Sequence, residues 1–120
     1  MIVETIRNEM SPGVEIPKPD PKGRFLVKGW GRRRDEDALI YTIPNHKNPA
    51  KPYEKGITVS EFDTAYERLR ASGKLTRQWF DDHIPACAKE GSCNFTTIGG
   101  IFEILGEAKY IGNGEYRYQS

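Results

Sequence analysis

Residues 94–118 read NFTTIGGIFEILGEAKYIGNGEYRY, and two different periodicities meet inside this stretch. Ile98, Ile101, Phe102 and Leu105 stand at i, i+3, i+4 and i+7, the spacing that lines one face of an α-helix. The helix is predicted to begin between Asn94 and Thr97, both of them residue types that cap a helix by accepting a first-turn N–H. It should weaken near Gly106. Beyond it, Lys109-Tyr110-Ile111 and Glu115-Tyr116-Arg117-Tyr118 flank Gly112-Asn113-Gly114. Asn-Gly between two β-prone runs marks a hairpin, because both turn residues must take positive φ. A helix is therefore expected to run straight into a β-hairpin.

Upstream the pattern is helical back to Thr58. Thr58 and Glu61 form a T-x-x-E capping box, in which each side chain satisfies a backbone donor of the first turn. Phe62, Ala65, Tyr66 and Leu69 then follow at i, i+3, i+4 and i+7, with Asp63, Glu67, Arg68 and Arg70 on the other face. Gly73 sits where a left-handed residue ends a helix. A second helix is predicted from Thr76 to about His83, with Trp79 and Phe80 inward; Pro85 disfavours helix at Ile84. Residues 86–93 read as a loop or short turn. The expected core is Phe62, Tyr66, Leu69, Trp79, Phe80, Ile101, Phe102 and Leu105.

This order of helix, turn, helix, helix and hairpin resembles the winged helix-turn-helix superfamily over residues 57–120. The resemblance rests on Phe95 to Gly106 and on the hairpin from Lys109 to Tyr118. It implies that the helix before the hairpin reads the major groove of DNA. Base-reading helices offer Arg, Lys, Asn or Gln, whereas this one offers Thr96, Thr97, Gly99, Gly100, Glu103 and Glu107. The alternative is that the helix packs or meets a protein partner, with Gly99-Gly100 permitting close backbone approach.

The first 56 residues have another character. Ile2, Val3, Ile6 and Met10 approximate a helical stripe. Residues 12–23 carry Pro12, Pro17, Pro19 and Pro21, each of which removes a backbone donor, so an extended arm is expected. Arg24 to Lys28 reads as a strand broken by Gly29-Trp30-Gly31. Arg32 to Asp37 reads as a long charged tip, and Ala38 to Ile43 as a second strand rich in β-branched and aromatic residues. Residues 44–56 read as irregular. The whole is expected to be one α+β domain: an N-terminal arm and hairpin over 1–56 and a winged-helix-like part over 57–120.

The chain has 120 residues, 37% of them hydrophobic and 29% charged, as in an ordinary globular protein. No apolar run approaches the roughly 20 residues that span a bilayer, and MIVETIRNEM lacks the basic start of a signal peptide. A cytoplasmic protein without membrane contact is expected. The net charge of +1 conceals an asymmetry: residues 18–55 hold ten basic against five acidic residues, while the segments on either side are acidic.

That basic centre supplies the candidate nucleic-acid contacts. Arg32, Arg33 and Arg34 stand beside Trp30, with Lys22, Arg24 and Lys28 near in sequence and Lys47, Lys51 and Lys55 on the proline-rich stretch. Guanidinium groups pair with phosphate and a ring stacks on a base. In the hairpin, Asn113 and Arg117 are added as wing contacts. Asp35-Glu36-Asp37 follows at once, so a self-compensating, solvated tip is the competing reading. His83, Cys87 and Cys93 lack a compact fourth ligand unless the fold brings in His46 or Asp82, so no metal is assigned. Two reduced thiols are expected, because a Cys87–Cys93 disulfide needs an oxidising setting. No nucleophile elbow, P-loop, dinucleotide fingerprint or H-E-x-x-H is present. A small hydrolase, or a metal-dependent nuclease built on Asp35, Glu36, Asp37 and Lys47, is only a third choice. The sequence therefore favours a non-enzymatic nucleic-acid-binding protein without a cofactor. The rival is a protein-interaction module or homo-oligomer that uses the third helix or an unpaired strand at Ala38–Ile43.

Overall fold

The structure is a computed structural model, and it describes residues 2–20 and 23–119. Helix α1 (Ile2–Glu9) buries Ile2, Val3 and Ile6, the stripe its sequence predicts. The proline-rich arm then lays a short strand, β1 (Glu15–Ile16), against β2 (Phe25–Arg33). Strand β2 continues through Gly29-Trp30-Gly31, where the expected break is only a bulge between Val27 and Gly29.

Strand β3 (Glu36–Ile43) is central, not an edge. It pairs with β2 on one side and with β4 (Tyr53–Thr58) on the other, giving an antiparallel sheet ordered β1-β2-β3-β4. Two expectations are corrected here: the end of the irregular stretch 44–56 is a strand, and Ala38–Ile43 has no free edge for a partner. The charged tip is also shorter than expected. Arg34 and Asp35, at φ 49° and 63°, are the two residues of the turn, the signature of a tight hairpin.

Helix α2 (Val59–Ser72) starts with the predicted capping box of Thr58 and Glu61 and ends at Gly73, φ 79°. Strand β5 (Lys74–Thr76) follows, then α3 (Arg77–His83) and α4 (Pro85–Glu90), a short helix in place of the expected loop. Pro85 opens α4, a position where its missing N–H costs nothing. Helix α5 (Asn94–Ile104) leads into β6 (Ala108–Gly112) and β7 (Glu115–Tyr118), and the second sheet is ordered β5-β7-β6. Asn113 and Gly114 make the predicted turn at φ 51° and 68°.

One hydrophobic cluster joins residues of both halves, including Ile6, Ile16, Val27, Tyr41, Phe62, Phe102 and Tyr116. Of the expected core, Phe62, Leu69, Phe80, Ile101 and Phe102 are fully buried, whereas Tyr66, Trp79 and Leu105 are partly buried against it. Lys18 pins the arm to the start of α5, donating to Cys93 O at 3.1 Å, Thr96 Oγ1 at 2.9 Å and Thr97 Oγ1 at 2.7 Å. Among the described residues no helix is long and apolar enough to cross a membrane.

Candidate nucleic-acid interface

The basic tip is divided by its own geometry. Arg33 stands opposite Glu36 and Arg32 opposite Asp37 in the β2–β3 register. Arg34 turns inward: Nε and Nη2 donate to the two carboxylate oxygens of Glu61 at 2.7 Å each, Nη1 to Glu90 at 2.7 Å and Nη2 to Gly56 O at 2.9 Å. The Glu61 hydrogen bond, more than offsetting burial, raises the Arg34 pKa above its ordinary value. Burial pushes the Glu61 carboxyl up, but Arg34 and the Thr58 N–H together hold it below the usual carboxylate range. Arg33 pairs with Glu90 at 3.4 Å. Arg32, still exposed, pairs with Asp37 at 3.0 Å, and Arg32 then Arg7 hold the Asp37 carboxyl low. Trp30 is roofed by the Arg7 guanidinium, 4.1 Å from the ring centroid. Two of the three arginines thus fasten the tip to α2 and α4.

Glu36 accepts from the Ser60 N–H and hydroxyl at 3.1 and 2.7 Å, so two of the tip's three acids, Glu36 and Asp37, are engaged too. Lys47 and Lys51 are exposed on the β3–β4 loop and form no ion pair among the described residues. Asn45 orders that loop, donating to Lys51 O at 2.9 Å and accepting from the N–H of Lys47 and Asn48 at 3.2 Å. His83 stacks on Trp79 at 5.2 Å and Cys87 is buried, and no three His, Cys, Asp or Glu residues are gathered for a metal among the described residues.

The second sheet holds a feature that residue-by-residue reading missed. Lys74 of β5 stands directly opposite Arg117 of β7, and Arg117 directly opposite Lys109 of β6. All three are exposed. With strands about 4.8 Å apart, three cations form a row across roughly 10 Å of the outer face. Like charges directly opposite one another destabilise a sheet. Only Arg117 has relief, from Glu115 at 3.0 Å; Lys74 and Lys109 form no ion pair among the described residues. Asn113 is exposed at the adjoining turn. Strand alternation sends Leu75, Tyr116 and Ala108 inward, and Tyr110 packs on Tyr116 with centroids 5.0 Å apart. The alternation of β6 and β7 was readable from sequence, but the row needs the pairing of β5 with β7, some forty positions away in the chain.

Helix α5 is not a projecting helix. Asn94, Phe95, Thr97, Ile98, Gly99, Gly100, Ile101 and Phe102 are buried. A Cβ at Gly99 would fall within the Tyr116 ring, and one at Gly100 would overlap the carbonyl oxygen of Pro17 in the arm. The close backbone approach expected of these glycines therefore takes place inside the chain, and that face has no room for a partner. The acids expected to face solvent are tied back as well. Glu103 accepts the Tyr110 N–H at 2.9 Å, and Glu107 accepts the Tyr66 hydroxyl at 2.7 Å. Burial, then Glu107, pushes the Tyr66 phenol up to about 12. Comparison of the chain with protein-family models, with curated proteins and with solved structures found no match.

Proposed function

We propose that the chain is a non-enzymatic nucleic-acid-binding protein that contacts the phosphate backbone through the outer face of the β5-β7-β6 sheet. The observation that carries this reading is the cross-strand row Lys74–Arg117–Lys109. An exposed row of cations in register repels itself, and a line of phosphates relieves that repulsion while releasing counterions. The element order also supports it: a helix, a strand, further helices and a hairpin, with the first strand beside the last, resembles the order expected of a winged helix-turn-helix domain.

The contact differs from that of a groove-reading helix. Helix α5 offers no cation and no exposed amide to base edges, so recognition through the backbone is indifferent to sequence. Exposed Asn113, at the adjoining turn, is a further, uncharged contact; Lys47 and Lys51 belong to the loop of the other sheet and are not counted among the contacts, and Arg33 and Arg34 are structural. The test is anisotropy of two labelled duplexes of unrelated sequence across a salt series. Three phosphate contacts predict a slope of log K against log salt of about −2 to −3, the same for both duplexes. Absence of binding at low salt ends the proposal.

A further inference from the structure

Arg34 and Lys18 are both drawn into the protein, but only Arg34 meets carboxylates. The Lys18 ammonium donates to one carbonyl and two hydroxyls, all neutral, and stands 4.3 Å from the Phe25 ring centroid and 5.7 Å from that of Tyr41. Among the described residues it forms no ion pair. Burial lowers its pKa to about 8; Cys93 favours its charge and Arg77, a second cation, opposes it. A charge removed from water without a counter-charge is costly, and this one borders a cavity of about 330 Å³. Phe25, Tyr110 and Pro19 supply apolar walls; Thr96, Cys93 and Asp20 complete the lining.

We propose that this cavity binds a small organic monocarboxylate with a flat apolar body, its carboxylate supplying the counter-charge that Lys18 lacks. The rings of Phe25 and Tyr110 suit a flat apolar body. The Thr96 hydroxyl accepts from Lys18 and donates to Cys93 O at 3.1 Å; by giving up the bond to Cys93 O it turns its single proton to the incoming oxygen while still accepting from Lys18. Asp20, exposed in the lining, repels negative charge in proportion to its magnitude and so disfavours a dianion more than a monoanion. The site is independent of the phosphate-binding row, and either reading stands without the other.

The probe is benzoate, with benzamide as its neutral counterpart, followed through the amide resonances of Thr96 and Thr97 at constant ionic strength. Benzoate is expected to shift both saturably at millimolar concentration, and benzamide to leave them unmoved. Affinity should fall about tenfold between pH 7 and pH 9 as free Lys18 loses its proton, and Lys18→Met should abolish the response. Should that variant not fold, the benzamide and pH comparisons on the unaltered protein still decide. Equal binding of benzamide, pH-independent binding, shifts confined to other residues, or no shift at all each overturns the proposal.

Discussion

Arg34 and Glu61 face one another in a two-pronged pair, with both hydrogen bonds at 2.7 Å. Glu61 Oε1 also accepts the Thr58 N–H at 2.9 Å. One carboxylate therefore ends the β2–β3 hairpin and begins α2 at once. Removing one partner of a part-buried pair leaves the other charge exposed to its desolvation cost. Arg34→Ala is expected to destabilise the fold by about 2–4 kcal/mol in urea unfolding, and Arg32→Ala by much less, because its pair is exposed. Equal effects would show that the inward turn of Arg34 contributes nothing. The acid limb follows the same pair. Glu61 titrates lower when folded than when unfolded, so its contribution is present above the unfolded pKa and is lost as pH falls through the folded one.

Gly99 and Gly100 make a second test. Replacing a helix glycine by alanine normally gains up to about 1 kcal/mol. Here the added methyl meets the Tyr116 ring or the Pro17 carbonyl, and overpacking of this kind costs about 1–3 kcal/mol. Each Gly→Ala change is expected to lower the urea midpoint. Gly100→Ala alone should also speed protease cleavage of the arm, because Pro17 must move away. A raised midpoint for either variant would contradict the packing of α5.

These glycines also show what the sequence could convey. Capping boxes and Asn-Gly turns are local, so Thr58–Glu61 and Asn113–Gly114 were legible without tertiary information. The strand Tyr53–Thr58 was not: Pro44, Pro49 and Pro52 precede it, Gly56 interrupts it, and its pairing with β3 alone makes it a strand. The pairing of Arg34 with Glu61 and Glu90 spans 27 and 56 positions, so a run of three arginines read as a surface patch. The α+β class was legible from periodicity. The site was legible only in part, because Arg117 shows itself in the hairpin while Lys74 joins it through the fold.

Lys18 gives a pH dependence of uncommon sign. Its pKa is about 8 when folded and near 10.5 when unfolded. Between these values the unfolded chain binds more protons, so stability rises with pH. The gain from pH 8 to pH 9 should be about 1 kcal/mol from this group. Above pH 9 the trend reverses, because burial raises the acid pKa values of Cys87 and Tyr116, and such groups favour the folded state less once the unfolded chain ionises. Urea titrations at pH 7, 8, 9 and 10 check this. Lys18→Met should flatten the rise between pH 8 and 9; a rise of unchanged size would assign it to another group.

The cation row makes the sharpest prediction, because its members act in opposite senses on folding and on binding. Lys74→Ala and Lys109→Ala each remove a repulsion with Arg117, so neither should lower stability, and each relieves up to a few tenths of a kcal/mol. Each should nevertheless weaken duplex binding and make the salt slope shallower by about 1. Arg117→Ala should do the same and also free Glu115 from its ion pair. The Arg34→Ala variant, compared at a temperature where it remains folded, should bind as the unaltered protein does. Binding that survives loss of all three sheet cations but falls with Arg32, Lys47 or Lys51 would move the contact to the first sheet and its loop. Loss of stability on removing Lys74 or Lys109 would mean that the row is held by contacts within the chain, and its exposure would then carry no argument for phosphate.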